Sequence, residues 1–403
     1  MNATISTCPP PSFARRATRL RGSVLREILS VTQQPDVISL AGGLPSPGCF
    51  PVDALRAAFD RVLRVNGAAA LQYSTTEGHA PLRDWIARYE SSRGVPTTAD
   101  EVLIVSGSQQ ALDLVCKALV DPGDAVLVEA PTYPGALQAF THSAARCITV
   151  PTDRDGLQTD RITAAVIGTG ARLLYVMPNF QNPGGHLMTA SRRTELADAA
   201  RTHGLWLIED DPYGDLWFRS APPESLRAHA PERTVRICSL SKTLAPGLRL
   251  GYIVAPRKMM DVLVRAKQAA DLHTSTLSQF AAHEVLASGV FDEHLASVRA
   301  RYAAQCDVMA RAISREFPQR VQWTRPAGGM FIWVALDGVD TDALLTAAVE
   351  RRVAFVPGSA FYAVTEPYGR RVHEMRLSFA TAEPAAIDRG IATLGELLRA
   401  QIP

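Results

Sequence analysis

Three groups of residues in this chain are of the right type and spacing to do chemistry together. The first is an amine. Lys242 lies in "SLSKTLAPGLRLGY", residues 239–252, flanked by Ser239 and Ser241, at the end of the apolar run "VRIC" and just before a Pro-Gly turn. Lysine is ordinarily a surface residue. One carried to the end of a buried strand is either a paired core cation or a working amine. The second group is the acid run Glu209, Asp210 and Asp211 in "LWLIEDDPYGDL". It closes an apolar strand, the edge where open α/β sheets bind ligands, and a carboxylate at that floor needs a cationic partner. Asp211 reads as a helix cap or a surface acid. Asp210 and Tyr213, separated by a proline that fixes the turn, read as the functional pair.

The third group consists of turns that can hold anions and oxygens. In "VLIVSGSQQALDL" a strand ends at Val105, and Ser106, Gly107 and Ser108 open a helix. Free backbone N–H groups at a helix start form an anion site, although the same pattern is also a plain N-cap. In "YVMPNFQNPGG", Asn182 precedes Pro183. Its backbone is therefore held extended, and its amide is available either to a ligand oxygen or to its own turn. Tyr133 in "APTYPGAL" and Arg376 in "EMRLSFA" read on their own as a turn tyrosine and a strand-end arginine.

These residues need a scaffold that gathers strand ends. The runs 102–105, 125–129, 147–150, 172–177, 205–209, 235–239 and 251–255 are strand-like, and helical patterns such as "ASRRTELADAARTHG" separate several of them. Such alternation predicts an α/β domain with a mainly parallel sheet. Continuous apolar strands imply helices on both faces. Residues 256–315 read as mostly helix, and "VQWTRPAGGMFIWVAL", "VAFVPG" and "HEMRLSF" indicate a smaller C-terminal α+β unit. No Ser/Gly-rich linker divides the two.

The composition is that of a globular enzyme. The chain has 403 residues, 47% hydrophobic and 20% charged, with a formal net charge of +2. This balance gives no strong field toward nucleic acid or an anionic membrane. No apolar run approaches a membrane span. The six cysteines, at 8, 49, 116, 147, 238 and 306, form no C-x-x-C pair. Neither a metal site nor a disulfide framework is indicated, and reduced thiols in the cytoplasm are expected. The Arg-rich N-terminus resembles a transit peptide in composition, whereas "SVLREIL" reads as a helix leading into the fold.

In sequence order, "SGSQQAL", "QNPGG", "EDDPYGDL", "SLSKTLAPGLRLGY" and "RLSFA" resemble the pyridoxal-phosphate enzymes of the aspartate aminotransferase fold, class I/II. The resemblance runs from "ISLAGGLPSP" to the C-terminus and is nearest to the 2-aminoadipate and aromatic aminotransferase branch. It implies a three-layer large domain with a mainly parallel seven-stranded sheet (fold type I) and a smaller α+β domain. The expected division is residues 1–49 as an arm and lid helix, 50–290 as the cofactor domain and 291–403 as the small domain.

The same resemblance implies a role for each site residue. Lys242 forms the Schiff base with pyridoxal 5'-phosphate, and Asp210 pairs with the ring nitrogen. Tyr213 and Asn182 hydrogen-bond the ring hydroxyl oxygen, while Tyr133 stacks on the ring. Gly107, Ser108, Gln109, Ser239, Ser241 and Arg249 hold the phosphate. Tyr73 reaches the phosphate of a neighbouring subunit, which implies a homodimer with shared sites. Arg376 and Gly43 take the substrate α-carboxylate, and Arg26 in "SVLREIL" meets distal carboxylates. The expected reaction moves an amino group from an L-amino acid to 2-oxoglutarate.

Two alternatives stand beside this reading. A β-lyase or decarboxylase would use the same cofactor, because fold does not fix reaction. A ligand-sensing regulator would carry a DNA-binding domain ahead of "LAGGLP", and only about 40 residues precede that motif.

Overall fold

The structure, a computed structural model, describes residues 36–363 and 372–401 together with residues 12, 13 and 17. The large sheet is assembled from β2 (Val102–Val105), β3 (Ala125–Ala130), β4 (Arg146–Asp153), β5 (Gly156–Leu157), β6 (Leu173–Val176), β7 (Trp206–Asp211), β8 (Thr234–Ser239) and β9 (Gly251–Val254). Their order across the sheet is β2-β9-β8-β7-β6-β3-β4-β5. The seven strand-like runs of the sequence are all present. The eighth strand, β5, is a two-residue hairpin partner of β4, turned at Arg154-Asp155 and followed by Gly156 at φ +108°, the position after a turn where glycine is favoured.

Strand direction decides where the chemistry collects. The pairs β3/β4, β3/β6, β6/β7 and β7/β8 are parallel, whereas β9 is antiparallel to both β8 and β2. Strand β2 therefore runs with β8. The C-terminal ends of β2, β3, β6, β7 and β8 all lie along one edge of the sheet. The turn after Val105, the Pro178–Gly185 turn, the acid run and the loop from β8 to β9 emerge there together.

The strands β2, β6, β8 and β9 are buried along their whole length, because apolar helices cover both faces. The helix Ser108–Leu119 buries Ala111, Leu112, Leu114, Val115 and Cys116, an amphipathic stripe at helical spacing. The helix Ala190–His203 covers the other face through Leu196, Ala197 and Ala200. No helix among the described residues is long and apolar enough to cross a membrane.

The C-terminal part forms a second sheet from β10 (Gln322–Trp323), β11 (Phe331–Ala335), β13 (Val356–Pro357) and β14 (Glu374–Ser378), ordered β10-β11-β14-β13. A parallel pair joins β1 (Ile38–Ser39) to β12 (Val353–Ala354), so the first described strand docks on this C-terminal region. The helix Pro384–Arg399 lies against the helix Val290–Glu316. At Gly395 an added Cβ would come within 2.6 Å of the Glu316 carbonyl oxygen, so only glycine permits that approach. One apolar cluster, including Val126, Tyr175, Phe331 and Leu398, runs through both sheets.

Alternation along β7 sorts the three acids. Successive strand side chains point to opposite faces, so Glu209 and Asp211 share one face and Asp210 takes the other. Arg236, beside Glu209 on β8, meets the first two. It lies 2.9 Å from Glu209, 2.8 Å from Asp211 and 3.0 Å from Glu90 of the neighbouring helix, with all four side chains at most 3% exposed. Asp211 also accepts hydrogen bonds from Asn179 Nδ2 and the Gly214 N–H. Burial alone would raise its pKa, but Arg236 and Arg93 hold it below the usual carboxylate range. The expectation that Asp211 is a helix cap or surface acid is therefore corrected: it is a buried ion-pair partner. Replacing Arg236 by Met leaves three buried carboxylates without their cation. The variant should lose about 3–5 kcal/mol of stability, read as a lowered urea midpoint; an unchanged midpoint would refute the load assigned to Arg236.

Candidate active site

The site is built from strand ends. The β8–β9 loop carries Lys242, and its Nζ donates to the Gly43 carbonyl at 3.0 Å. Burial lowers the pKa of this amine to about 8, helped by the positive charges of Arg376 and Arg249. Asp210 crosses to the same cavity from β7. Its Oδ2 accepts from Tyr175 Oη at 2.7 Å, while its buried Oδ1 has no hydrogen-bond partner among the described residues. Burial, together with the charge of Asp211, raises its pKa to about 7 against the opposing effect of the Tyr175 bond. An unpaired buried carboxylate oxygen costs free energy, so Asp210 is poised for a cationic or N–H partner.

One cavity of about 160 Å³ is lined by Ser108, Gln109, Tyr133, Met177, Asp210, Pro212, Ser239, Ser241, Lys242 and Arg249. Its far end is the turn into the helix Ser108–Leu119. Gly107 is the N-cap, at φ +87° with no side-chain capping bond, which leaves the first N–H groups of the helix without a capping side chain. A Cβ on Gly107 would sit 2.5 Å from Arg249 Nη2. Arg249 adopts φ +53° and donates to the Ser106 carbonyl at 3.2 Å. Hydroxyls, helix N–H groups and a guanidinium thus line one end of the cavity, a donor set for a multiply charged oxyanion.

Arg376 enters from β14 and is not the strand-end surface arginine that its motif alone indicates. It is 2% exposed. Nη1 donates to Asn182 Oδ1 at 2.8 Å and Nη2 to the Ala41 carbonyl at 2.6 Å, and the guanidinium sits 4.1 Å from the Phe331 ring centroid. Its buried Nε has no hydrogen-bond partner among the described residues. Burial lowers its pKa to about 10, so it remains a cation at neutral pH. Because Asn182 Oδ1 is taken by Arg376, its Nδ2 is the group left to donate. Tyr213 is buried, and burial raises the pKa of its hydroxyl against the opposing effects of Arg376 and Asn182. Its ring meets Phe331 edge-on at 5.8 Å.

The structure therefore gathers Gly43, Gly107, Ser108, Gln109, Tyr133, Asn182, Asp210, Tyr213, Ser239, Ser241, Lys242, Arg249 and Arg376 around one cavity and its walls. Gln109 is exposed at the rim, its side chain donating to the Gly135 carbonyl. At Gly43 an added Cβ would make only ordinary contact with Phe331 at 3.4 Å. Tyr73 is not part of this cavity; it is 78% exposed, its ring edge-on to His273. Arg26 lies outside the described residues. Sequence reasoning missed Tyr175, Met177 and Phe331. Each sits in an apolar strand or turn, and only its contacts distinguish it from core.

The fold and this cleft suit an enzyme of the class that works through an amine-bound aldehyde cofactor. The profile of the aminotransferase class I and II family matches residues 35–394. The chain is 42% identical over 393 residues to a 2-aminoadipate transaminase of Thermus thermophilus, covering 96% of each chain. It is 37% identical to aromatic-amino-acid aminotransferase 1 of Thermococcus litoralis, covering 97% of this chain and 94% of that one. The crystal structure of an alpha-aminoadipate aminotransferase from Thermus thermophilus, complexed with N-(5'-phosphopyridoxyl)-L-leucine, superposes with a TM-score of 0.89 at 41% identity, covering 97% and 98% of the two chains. The chain belongs to the class I and II aminotransferases, and its cofactor is pyridoxal phosphate.

The residues present fit that cofactor. The unpartnered Asp210 Oδ1 suits a protonated ring nitrogen, the donor-lined end suits a phosphate, and the depressed Lys242 amine suits an aldehyde. An ordinary lysine is protonated up to about pH 10.4. In this protein the neutral, nucleophilic fraction grows as pH rises through about 8. Cofactor loading of the stripped protein, followed by absorbance, should therefore accelerate from about pH 7 to about pH 9 and then level. Arg376→Met removes one of the charges that depress the amine and should move this profile to higher pH. A rate still climbing beyond about pH 10 in the unsubstituted protein would contradict the depressed amine.

Proposed function

We propose that this aminotransferase takes the amino group of an L-amino acid with an acidic, aromatic or branched side chain and passes it to 2-oxoglutarate. The observation that carries this reading is the convergence of Lys242, the unpartnered oxygen of Asp210 and the buried Arg376 on one cleft. Pyridoxal phosphate, when bound, supplies the aldehyde that accepts the amino group and a protonated ring that takes up electron density from the substrate Cα.

The protein's part is binding, orientation and proton transfer. Ser108, Gln109, Ser239, Ser241, Arg249 and the helix start behind Gly107 hold the phosphate. Asp210 keeps the proton on the ring nitrogen. Tyr213 and the amide donor of Asn182 would hold the ring hydroxyl oxygen, and Tyr133 would stack on the ring. Arg376 takes the α-carboxylate next to the Gly43 backbone; bidentate recognition of carboxylates is what guanidinium geometry does well. Lys242, neutral in substantial fraction near pH 8, moves the proton between the substrate Cα and the cofactor C4′.

The same reading extends to the whole molecule. Residues 50–290 form the cofactor domain and 291–403 the small domain, with the arm 1–49 joining the latter, a division supported by the pairing of β1 with β12. The active unit is a homodimer in the cytoplasm in which Tyr73 reaches the partner's phosphate. Support for the dimer comes from the exposure of Tyr73 (78%), Leu71 (70%) and Val65 (69%), large apolar side chains close in sequence that an interface would cover. Arg26 would meet the distal carboxylate of 2-oxoglutarate or 2-aminoadipate.

A half-reaction screen tests the function. The loaded protein is mixed with 2-aminoadipate, glutamate, leucine, phenylalanine, tyrosine or kynurenine, and mass spectrometry follows pyridoxal phosphate becoming pyridoxamine phosphate. Stoichiometric conversion is expected, with Lys242→Ala abolishing turnover; release of pyruvate and ammonia from cysteine conjugates in place of conversion would indicate a lyase. Arg26→Ala should slow 2-aminoadipate more than leucine or phenylalanine, and an equal effect on all would remove its distal-carboxylate role. Mixing Tyr73→Ala with Lys242→Ala chains tests the shared site. Each inactive alone, they should together recover about one quarter of the wild-type sites, since half the dimers are hybrids with one intact site. No recovery from mixed chains would argue against Tyr73 crossing the interface.

A further inference from the structure

We infer that Lys267 and Asp271, outside the cavity, are positioning residues for the phosphate-binding turn Ser106–Ser108 and set the affinity of the protein for the phosphate of its cofactor. The inference rests on the reading of that turn as the phosphate site. Lys267 belongs to the helix Arg257–Asp271 and is 0% exposed. Its Nζ donates to Asp271 Oδ1 at 2.7 Å, Thr274 Oγ1 at 3.0 Å and Gln110 Oε1 at 3.2 Å. All three ammonium protons are thereby used.

The other side of this cluster is the turn itself. Asp271 Oδ2 accepts from Gln110 Nε2 at 2.7 Å and from Ser106 Oγ at 3.1 Å. Gln110 Oε1 also accepts the Ser106 N–H at 2.7 Å. Ser106 is thus held from behind at both its amide and its hydroxyl, and its carbonyl is presented to Arg249. One ion pair, its lysine buried and its aspartate half-buried, fixes the residue from which Gly107 and Ser108 continue and to which the cavity guanidinium is tied.

Helix stability does not account for the pair. A carboxylate in the last turn opposes the helix dipole, which favours cations there. The next residue, Leu272, is a non-glycine at φ +62°, a conformation that L side chains rarely adopt. Local rules broken at one place, with the broken groups converging on a binding turn, are the pattern of a supporting shell around a site.

The test compares two ligands of the cofactor-stripped full-length protein, pyridoxal phosphate and pyridoxal, which lacks the phosphate. Lys267→Met and Asp271→Asn should each weaken pyridoxal phosphate by about ten-fold or more, while pyridoxal changes by less than about two-fold. With cofactor saturating, KM for the amino donor should stay unchanged. Equal weakening of both ligands, or of neither, would overturn the inference. Ser108→Ala and Arg249→Met separate its failure from that of the phosphate reading. If they leave the preference for the phosphorylated ligand intact, the phosphate site itself is misplaced and the inference falls with it. If they erase that preference and the pair variants do not, only the inference is lost. Should Lys267→Met fail to fold, Asp271→Asn, which preserves shape but replaces an acceptor oxygen with a donor, decides the question.

Discussion

The active-site floor depends on one buried guanidinium. Three acids in succession at a strand end would repel one another and resist burial. The pleat splits them, and Arg236 takes Glu209 and Asp211 on one face together with Glu90 from a helix. Asp210 is thereby left alone on the other face, supported by Tyr175. Its isolation is what makes it useful. A carboxyl already paired with an arginine inside the protein would have no charge to offer a ligand.

The cavity is cationic, and this has two effects. Arg249 and Arg376 make it attractive to anions, and they also depress the Lys242 amine. The same charges thus serve binding and make the amine nucleophilic near neutral pH. Arg376 has a further consequence through Asn182, because a guanidinium donor fixes which end of that amide is an acceptor. The orientation of the Asn182 amide is in this way tied to the buried arginine.

Support for these groups comes from a second layer that never lines the cavity. Glu129, buried on β3, accepts the Met177 N–H at 2.9 Å. Gln181 donates to the Pro131 carbonyl and accepts the Gly184 N–H, which shapes the turn that carries Asn182. The Lys267–Asp271 pair does the same for Ser106. Each of these polar clusters braces a single turn at the C-terminal edge of the sheet.

The sequence by itself determined a good deal. The alternation of apolar runs and helical stripes specified an α/β sheet covered on both faces, and the ordered motifs specified the family and most of the cavity residues, because turns built from Gly, Pro, Ser and Asn carry their geometry locally. Tertiary structure alone decided the partners. That Asp211 is neutralised by Arg236 whereas Asp210 is not depends on the facing strand and on Glu90, far away in the chain. That Arg376 is buried beside Asn182 depends on the second sheet meeting the first. Tyr175, Phe331 and Lys267 read as ordinary core or helix residues because their contacts are long-range. Periodicity reports which face of an element a side chain takes; it does not report which groups wait on the other side.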